Sequence, residues 1–162
     1  MPVPSFKPKK TIEAIQSDIA SAKQGRDIWA SYDKFDDKST VYCKADSTLF
    51  FIFTFKGRTL LAEPKTFFIQ ADSTDAKDEL SYSTRLQFIA DNERIELKAV
   101  DYKLSGNIAE LKRSVYFIAT PQIVEKIANA KILDYRVGTF ENNLVNSERN
   151  KIKIFLSLST PY

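Results

Sequence analysis

None of the 162 residues is histidine. That absence removes the one side chain whose ordinary pKa lies near neutrality, and with it the commonest metal ligand and the usual general base. Cysteine occurs once, at Cys43, so no intramolecular disulfide can form and a thiolate zinc site has no partners. A single cysteine also suits a reducing compartment. Only four glycines are present, at positions 25, 57, 106 and 138, and none sits in a phosphate-binding pattern. A P-loop or a dinucleotide-binding turn is thereby excluded. No run approaches the roughly 18 consecutive apolar residues of a membrane span, and the first residues, Met1-Pro2-Val3-Pro4-Ser5-Phe6-Lys7-Pro8, carry no apolar leader. The chain as written is expected to be soluble and cytoplasmic.

What remains is ample for folding. Apolar residues make up 43% of the chain and aromatic ones 12%, enough for a sizeable core. The length falls within the common range for one domain. Lys and Arg number 24 against 21 Asp and Glu, a net charge of +3, with the two signs interspersed. That pattern falls short of the clustered positive charge of a nucleic-acid-binding domain.

Three of the six prolines fall within the first eight residues, beside Lys7, Lys9 and Lys10, so residues 1–10 read as a flexible basic arm and 11–162 as a single globular domain. Thr11 is a natural N-cap for a helix over 11–24, with Ile12, Ile15, Ile19 and Ala22 at helical spacing and Gly25 ending it. Over 27–35 the helical spacing of Ile28, Trp29, Tyr32 and Phe35 competes with a strand entering the Asp36-Asp37-Lys38 turn; the strand is preferred, with 40–45 pairing to it as a hairpin. Leu49 to Phe55 is apolar on both parities and predicts a strand covered on both faces. Thr59–Ala62 and Thr66–Gln70 read as strands interrupted by Pro64. Leu80, Tyr82 and Thr84 continue the alternation of Leu86, Phe88 and Ala90.

The run Arg94–Leu104 changes phase. Ile95, Leu97 and Ala99 are apolar on one parity, Val100, Tyr102 and Leu104 on the other, which predicts a bulge near Ala99-Val100 in one long bent strand. Ser105-Gly106-Asn107 reads as a turn and Arg113–Ala119 as the returning strand. Thr120-Pro121 starts a helix, Lys131–Phe140 forms a further strand, and a last helix begins near Asn146 or Ser147. The expected fold is α+β and mainly β: an antiparallel bent sheet or β-sandwich of about eight strands, with an N-terminal helix and two C-terminal helices.

Candidate chemistry is sparse. Ser31 and Lys34 match S-x-x-K, but the other elements of penicillin-recognising enzymes are missing, and so short a pattern arises readily by chance. Asp33, Asp36 and Asp37, and the group Asp72, Asp75, Asp78 and Glu79, could supply oxygen ligands, yet neither has calcium-loop spacing; solvated turns explain both. No metal or other cofactor is predicted. Cys43 shares a strand parity with Val41 and Ala45 and reads as a small buried hydrophobe.

The remaining candidate is a polar sheet face, with Arg85, Lys98, Lys103, Tyr116 and Arg136 as its binding residues. The sequence therefore points to a non-catalytic binding or assembly module. A protein partner or self-association fits first and a small polar ligand second. The alternatives are a histidine-free hydrolase of glycans acting through two carboxylates about 5–9.5 Å apart, and weak nucleic-acid contact through the basic arm.

Overall fold

In the computed structural model, which describes residues 8–162, nine strands form one antiparallel sheet and three helices pack on its inner face. In chain order the elements are α1 (Ile12–Ala22), β1 (Ile28–Asp33), β2 (Lys38–Lys44), β3 (Leu49–Lys56) and β4 (Phe67–Ser73). They continue with β5 (Arg85–Ala90), β6 (Glu93–Asn107), β7 (Glu110–Ala119), α2 (Pro121–Asn129), β8 (Leu133–Val137), β9 (Phe140–Asn143) and α3 (Asn146–Ser157). The spatial order of the strands is β1-β2-β3-β4-β7-β6-β5-β8-β9.

The sheet has two halves joined by one strand. The C-terminal part of β6 pairs with β7, which leads on through β4, β3 and β2 to β1 and makes the first half. The N-terminal part of β6 pairs with β5, followed by β8 and β9, and makes the second half. The register breaks between Ala99 and Asp101, where the phase change placed a bulge. An extra residue there bends the strand and re-aims the sheet. The two halves curl until Asp46, in the turn between β2 and β3, meets β8 and β9. Its Oδ2 accepts from the Tyr135 hydroxyl at 2.5 Å and from Asn142 Nδ2 at 3.1 Å, and its Oδ1 accepts from the Thr48 and Leu49 N–H groups.

The inner face is a single apolar cluster that runs through both halves. Alternate residues of each strand supply it: Val41 and Cys43, Phe51 and Phe53, Phe67 and Ile69, Leu86 and Phe88, Val115 and Phe117, Leu133 and Tyr135. Phe155 of α3 fills its centre, with ring centroids 5.3 Å from Phe53, 5.8 Å from Phe67 and 6.3 Å from Phe51. Helix ends follow local chemistry. Thr11 and Thr120 each accept a backbone N–H three residues on, and Pro121 takes the first helical position of α2.

Five local expectations are corrected. Thr59–Ala62 is not a strand: between Gly57 and Pro64 it makes one bridge, Thr59 to Thr11, flanked by Leu60 N–H to Lys10 O and Ile12 N–H to Arg58 O. Leu80–Thr84 is a turn, because the Thr84 hydroxyl takes the Ser81 N–H that a ladder would have needed. Ser105–Asn107 remains in β6, and the chain reverses at Ile108-Ala109 instead. Lys131–Phe140 is a hairpin, not one strand, since Gly138 at φ 59° turns the chain from β8 into β9 and brings the count to nine. Finally, among the described residues no second layer covers the outer face of β3, where Phe50 and Ile52 are shielded by neighbours within the sheet.

Of the expected N-terminal arm, residues 1–7 lie outside the described residues. Lys10, at its end, is anchored, with its N–H on Pro161 O at 2.7 Å and its carbonyl on Leu60 N–H. No helix among the described residues is long and apolar enough to cross a membrane.

Candidate functional site

No helix among the described residues covers the outer face of the first half. Strand alternation lines up one residue from each of five strands there: Trp29, Tyr42, Ile52, Phe68 and Ile118. Trp29 and Tyr42 stack with ring centroids 4.9 Å apart and planes 11° from parallel. The row emerges at both ends, where Trp29 is 38% and Ile118 44% exposed, whereas Ile52 in the middle is nearly closed off by its neighbours. The adjacent row reads Lys44, Phe50, Gln70, Tyr116 and Asp101 across five strands, and Asp72, Ser114 and Lys103 follow. Aromatic and aliphatic side chains thus form a stripe bordered by charges of both signs.

Tyr116 and Lys103 belong to this border, with the Lys103 ammonium 5.2 Å from the Tyr116 ring centroid. Partial burial, reinforced by the carboxylates of Asp72 and Asp101, raises the Tyr116 hydroxyl above its ordinary pKa. The other three residues expected on a polar face, Arg85, Lys98 and Arg136, lie beyond the bulge on the outer face of the second half. The structure therefore divides the five between two surfaces.

The second surface is a ladder of mutually satisfied polar groups. Arg85 donates to Glu96 Oε1 at 3.2 Å, Gln87 Nε2 donates to the same oxygen at 3.2 Å, and Arg136 donates from Nη2 to Gln87 Oε1 at 2.6 Å. Arg136 also reaches Glu141 at 3.3 Å. Two adjoining hollows of about 570 and 520 Å³ open over this ladder and share Gln87, Arg136 and Glu141. The hydrogen bond from Arg85, and then that from Gln87, hold the Glu96 carboxyl below its usual pKa. Asp134, which also lines the larger hollow, accepts from Asn143 at 2.9 Å.

The remaining candidates resolve locally. Ser31 lies in a strand and Lys34 in the following turn, so the helical spacing that S-x-x-K requires is absent. Asp33 and Asp75 accept backbone N–H groups of their own turns, and Asp78 accepts from Ser73. No cluster of three or more potential ligands stands in position to hold a metal among the described residues. Cys43 is fully buried, and burial pushes its thiol up to about 12, which keeps it protonated and inert.

Sequence reasoning missed the aromatic row. Its signal was present in the alternate residues Phe50, Ile52 and Thr54, but apolar character on both parities looks the same whether a face is covered by a second layer or left open for a partner. No protein-family model matches the chain, and neither does any curated protein or solved structure.

Proposed function

We infer that this chain is a non-catalytic binding or assembly module that docks a protein partner on the outer face of its first half. The observation that carries the reading is the Trp29-Tyr42-Ile52-Phe68-Ile118 row, apolar across five strands and covered by no helix among the described residues. Contiguous apolar surface bordered by polar groups marks interaction sites, and tryptophan and tyrosine are enriched where binding energy concentrates. Charges of both signs at the border, Lys44 and Lys103 with Asp72 and Asp101, suit a protein better than a nucleic acid, which calls for a uniformly positive groove.

Glycan hydrolysis is less well supported. It requires a carboxylic acid held protonated opposite a free carboxylate. In the second-half hollows Glu96 is kept ionised, while Glu141 and Asp134 are engaged by Arg136 and Asn143.

Trp29 is the only tryptophan, so its emission reports directly on this face. Partner binding is expected to shift that emission to shorter wavelength as water leaves the ring. Affinity capture from source cells should recover a partner with the wild type and lose it with Trp29→Ala and with Ile118→Asp. Ile89→Asp is the control: Ile89 is 39% exposed, close to the 44% of Ile118, but lies on the outer face of the second half. Both aspartate variants remove a half-buried β-branched side chain from a strand and should cost a similar amount of stability, about 1–2 kcal/mol, so each controls for the other. A partner retained by Trp29→Ala and Ile118→Asp, or lost equally with Ile89→Asp, overturns the assignment.

A further inference from the structure

β4 accompanies β7 only between Ala119 and Arg113, and β5 accompanies β6 only as far as Lys98. The end of the β6–β7 hairpin is therefore two-stranded and stands out from the sheet: every residue from Lys103 to Lys112 is exposed. Its turn is held by its own groups. Asn107 Oδ1 accepts the Ala109 and Glu110 N–H groups, each at 3.0 Å, and Gly106, at φ 96°, leaves room for the Glu110 carbonyl that a Cβ would strike.

Period-two alternation gives this projection two unlike sides. Leu104 and Leu111 share the parity of the buried Val115, but so far from the core no described element covers that side, and they stay 56% and 43% exposed. Ile108, at the turn, is exposed in full. The opposite side carries Lys103, Ser105, Asn107, Glu110 and Lys112. A contiguous exposed apolar patch rimmed by polar groups marks a surface that meets a protein or a membrane.

Two features favour the membrane. The apolar side chains here are all aliphatic, whereas the anchors of protein interfaces are enriched in tryptophan, tyrosine and arginine and poor in leucine. Hydrocarbon makes no such distinction and takes up apolar groups in proportion to their area. The charge beside them is also mainly positive: from Tyr102 to Arg113 the chain carries Lys103, Lys112 and Arg113 against Glu110 alone. Of the neighbouring acids, Asp101 accepts the Tyr102 N–H at 2.8 Å, and Asp72 accepts from Gln70 Nε2 at 2.8 Å and lies 3.8 Å from Lys112 Nζ. Glu110 is on the polar side, away from Leu104 and Leu111. Arg113 stands directly across the ladder from Leu104, and lysine stems can lie along apolar surface while their ammonium groups stay in water. Aliphatic groups and cations are thus within one side chain of each other, as a lipid headgroup and its acyl chains are.

We propose that the end of the β6–β7 hairpin seats on an anionic lipid surface. Ile108, Leu104 and Leu111 enter the boundary between headgroups and acyl chains, and Lys103, Lys112 and Arg113 meet the lipid phosphates. The contact is peripheral, holding one projecting turn and spanning nothing. It uses no member of the aromatic row, so it stands or falls separately from the docking of a protein there.

Co-sedimentation with vesicles tests the proposal, using phosphatidylcholine alone and phosphatidylcholine with phosphatidylserine in a ratio of three to one, with far-UV circular dichroism confirming that each variant folds. The wild type is expected to bind the mixed vesicles, to bind them less as added salt screens its cations, and to bind pure phosphatidylcholine more weakly. Ile108→Asp and Lys112→Glu should each weaken binding to the mixed vesicles by about tenfold or more. Lys112→Arg should restore it, and Trp29→Ala and Ile118→Asp should bind as the wild type does. A wild type that ignores the mixed vesicles at low salt assigns the hairpin to a protein instead and overturns the proposal. So do binding that survives Ile108→Asp, binding indifferent to both phosphatidylserine and Lys112→Glu, and binding lost with Trp29→Ala.

Discussion

The two halves of the sheet obey the same alternation and spend their outer faces differently. In the second half, Arg85, Glu96, Gln87, Arg136 and Glu141 bond to one another across four strands, so the polar groups find their partners within the chain. In the first half, Trp29 and Tyr42 stack on each other and the row runs on through Ile52 and Phe68 to Ile118, with Trp29 and Ile118 open to solvent at its ends. A face that is internally satisfied offers little gain to a ligand, because each bond made outside displaces one already made. An apolar row has no such competitor, and its contact with water is what binding would relieve. The same contrast continues inside. One apolar cluster runs through both halves, but its aromatic centre around Phe155 lies in the first, and the second adds the polar contact of Asp46 with Tyr135 and Asn142.

The strongest way to break the contrast is to remove the aromatic floor of the first half. Phe155→Ala leaves a void among Phe51, Phe53 and Phe67 and is expected to cost about 3–5 kcal/mol in urea-induced unfolding. A cost below about 1 kcal/mol would mean that α3 does not anchor this half. Next in size is the tie between the halves. Tyr135→Phe keeps the ring among its apolar neighbours but leaves Asp46 Oδ2 with Asn142 alone, at an expected cost of about 1–3 kcal/mol. A neutral outcome by thermal or urea denaturation would show the tie to be dispensable. Burial, followed by the bond to Asp46, raises the Tyr135 hydroxyl well above its ordinary pKa, so it remains a donor throughout the neutral range.

Much of the fold was legible because period-two alternation and turn residues act locally. The clearest case is the bulge: a switch of apolar parity between Ala99 and Val100 has one economical cause in a strand, and the register breaks there. Thr120-Pro121 was equally readable, since an N-cap hydroxyl and an N1 proline act over a single turn. The sequence misled where competition came from elsewhere in the chain. Thr59–Ala62 has strand composition, but Lys10 and Ile12, some fifty residues earlier, take its hydrogen bonds. Gly138 inside Lys131–Phe140 was the signal for a hairpin, weakened by the lack of a glycine or asparagine beside it. The five expected site residues lie on outward-facing positions, but their division between two surfaces depends on how far the bulge bends the sheet, which alternation does not encode. The aromatic row required knowing which face the helices cover.

The smallest expected effect separates the halves by acidity. Among the described residues, the carboxylates held below their usual pKa are Asp91, by the N–H groups of Ile132 and Lys131, and Glu96, by Arg85 and Gln87, and both belong to the second half. A carboxylate with a depressed folded pKa contributes stability that is fully present above its unfolded value, about 4.3 for glutamate, and is lost as pH falls through the folded value. Acid should therefore loosen β5 and β8 before β3 and β4, read as earlier loss of amide hydrogen-exchange protection in the second half between about pH 5 and pH 3. Glu96→Gln keeps a hydrogen-bonding side chain but removes the charge. It should lower the urea midpoint slightly near neutral pH and leave it unchanged in strong acid, where the wild-type carboxyl is itself protonated. Because the group is exposed, the difference is small, and its sign is the test: a midpoint that separates further from wild type as pH falls would contradict the pairing. Simultaneous loss of protection in both halves would show that they unfold as one unit, and that the contrast between them is confined to their surfaces.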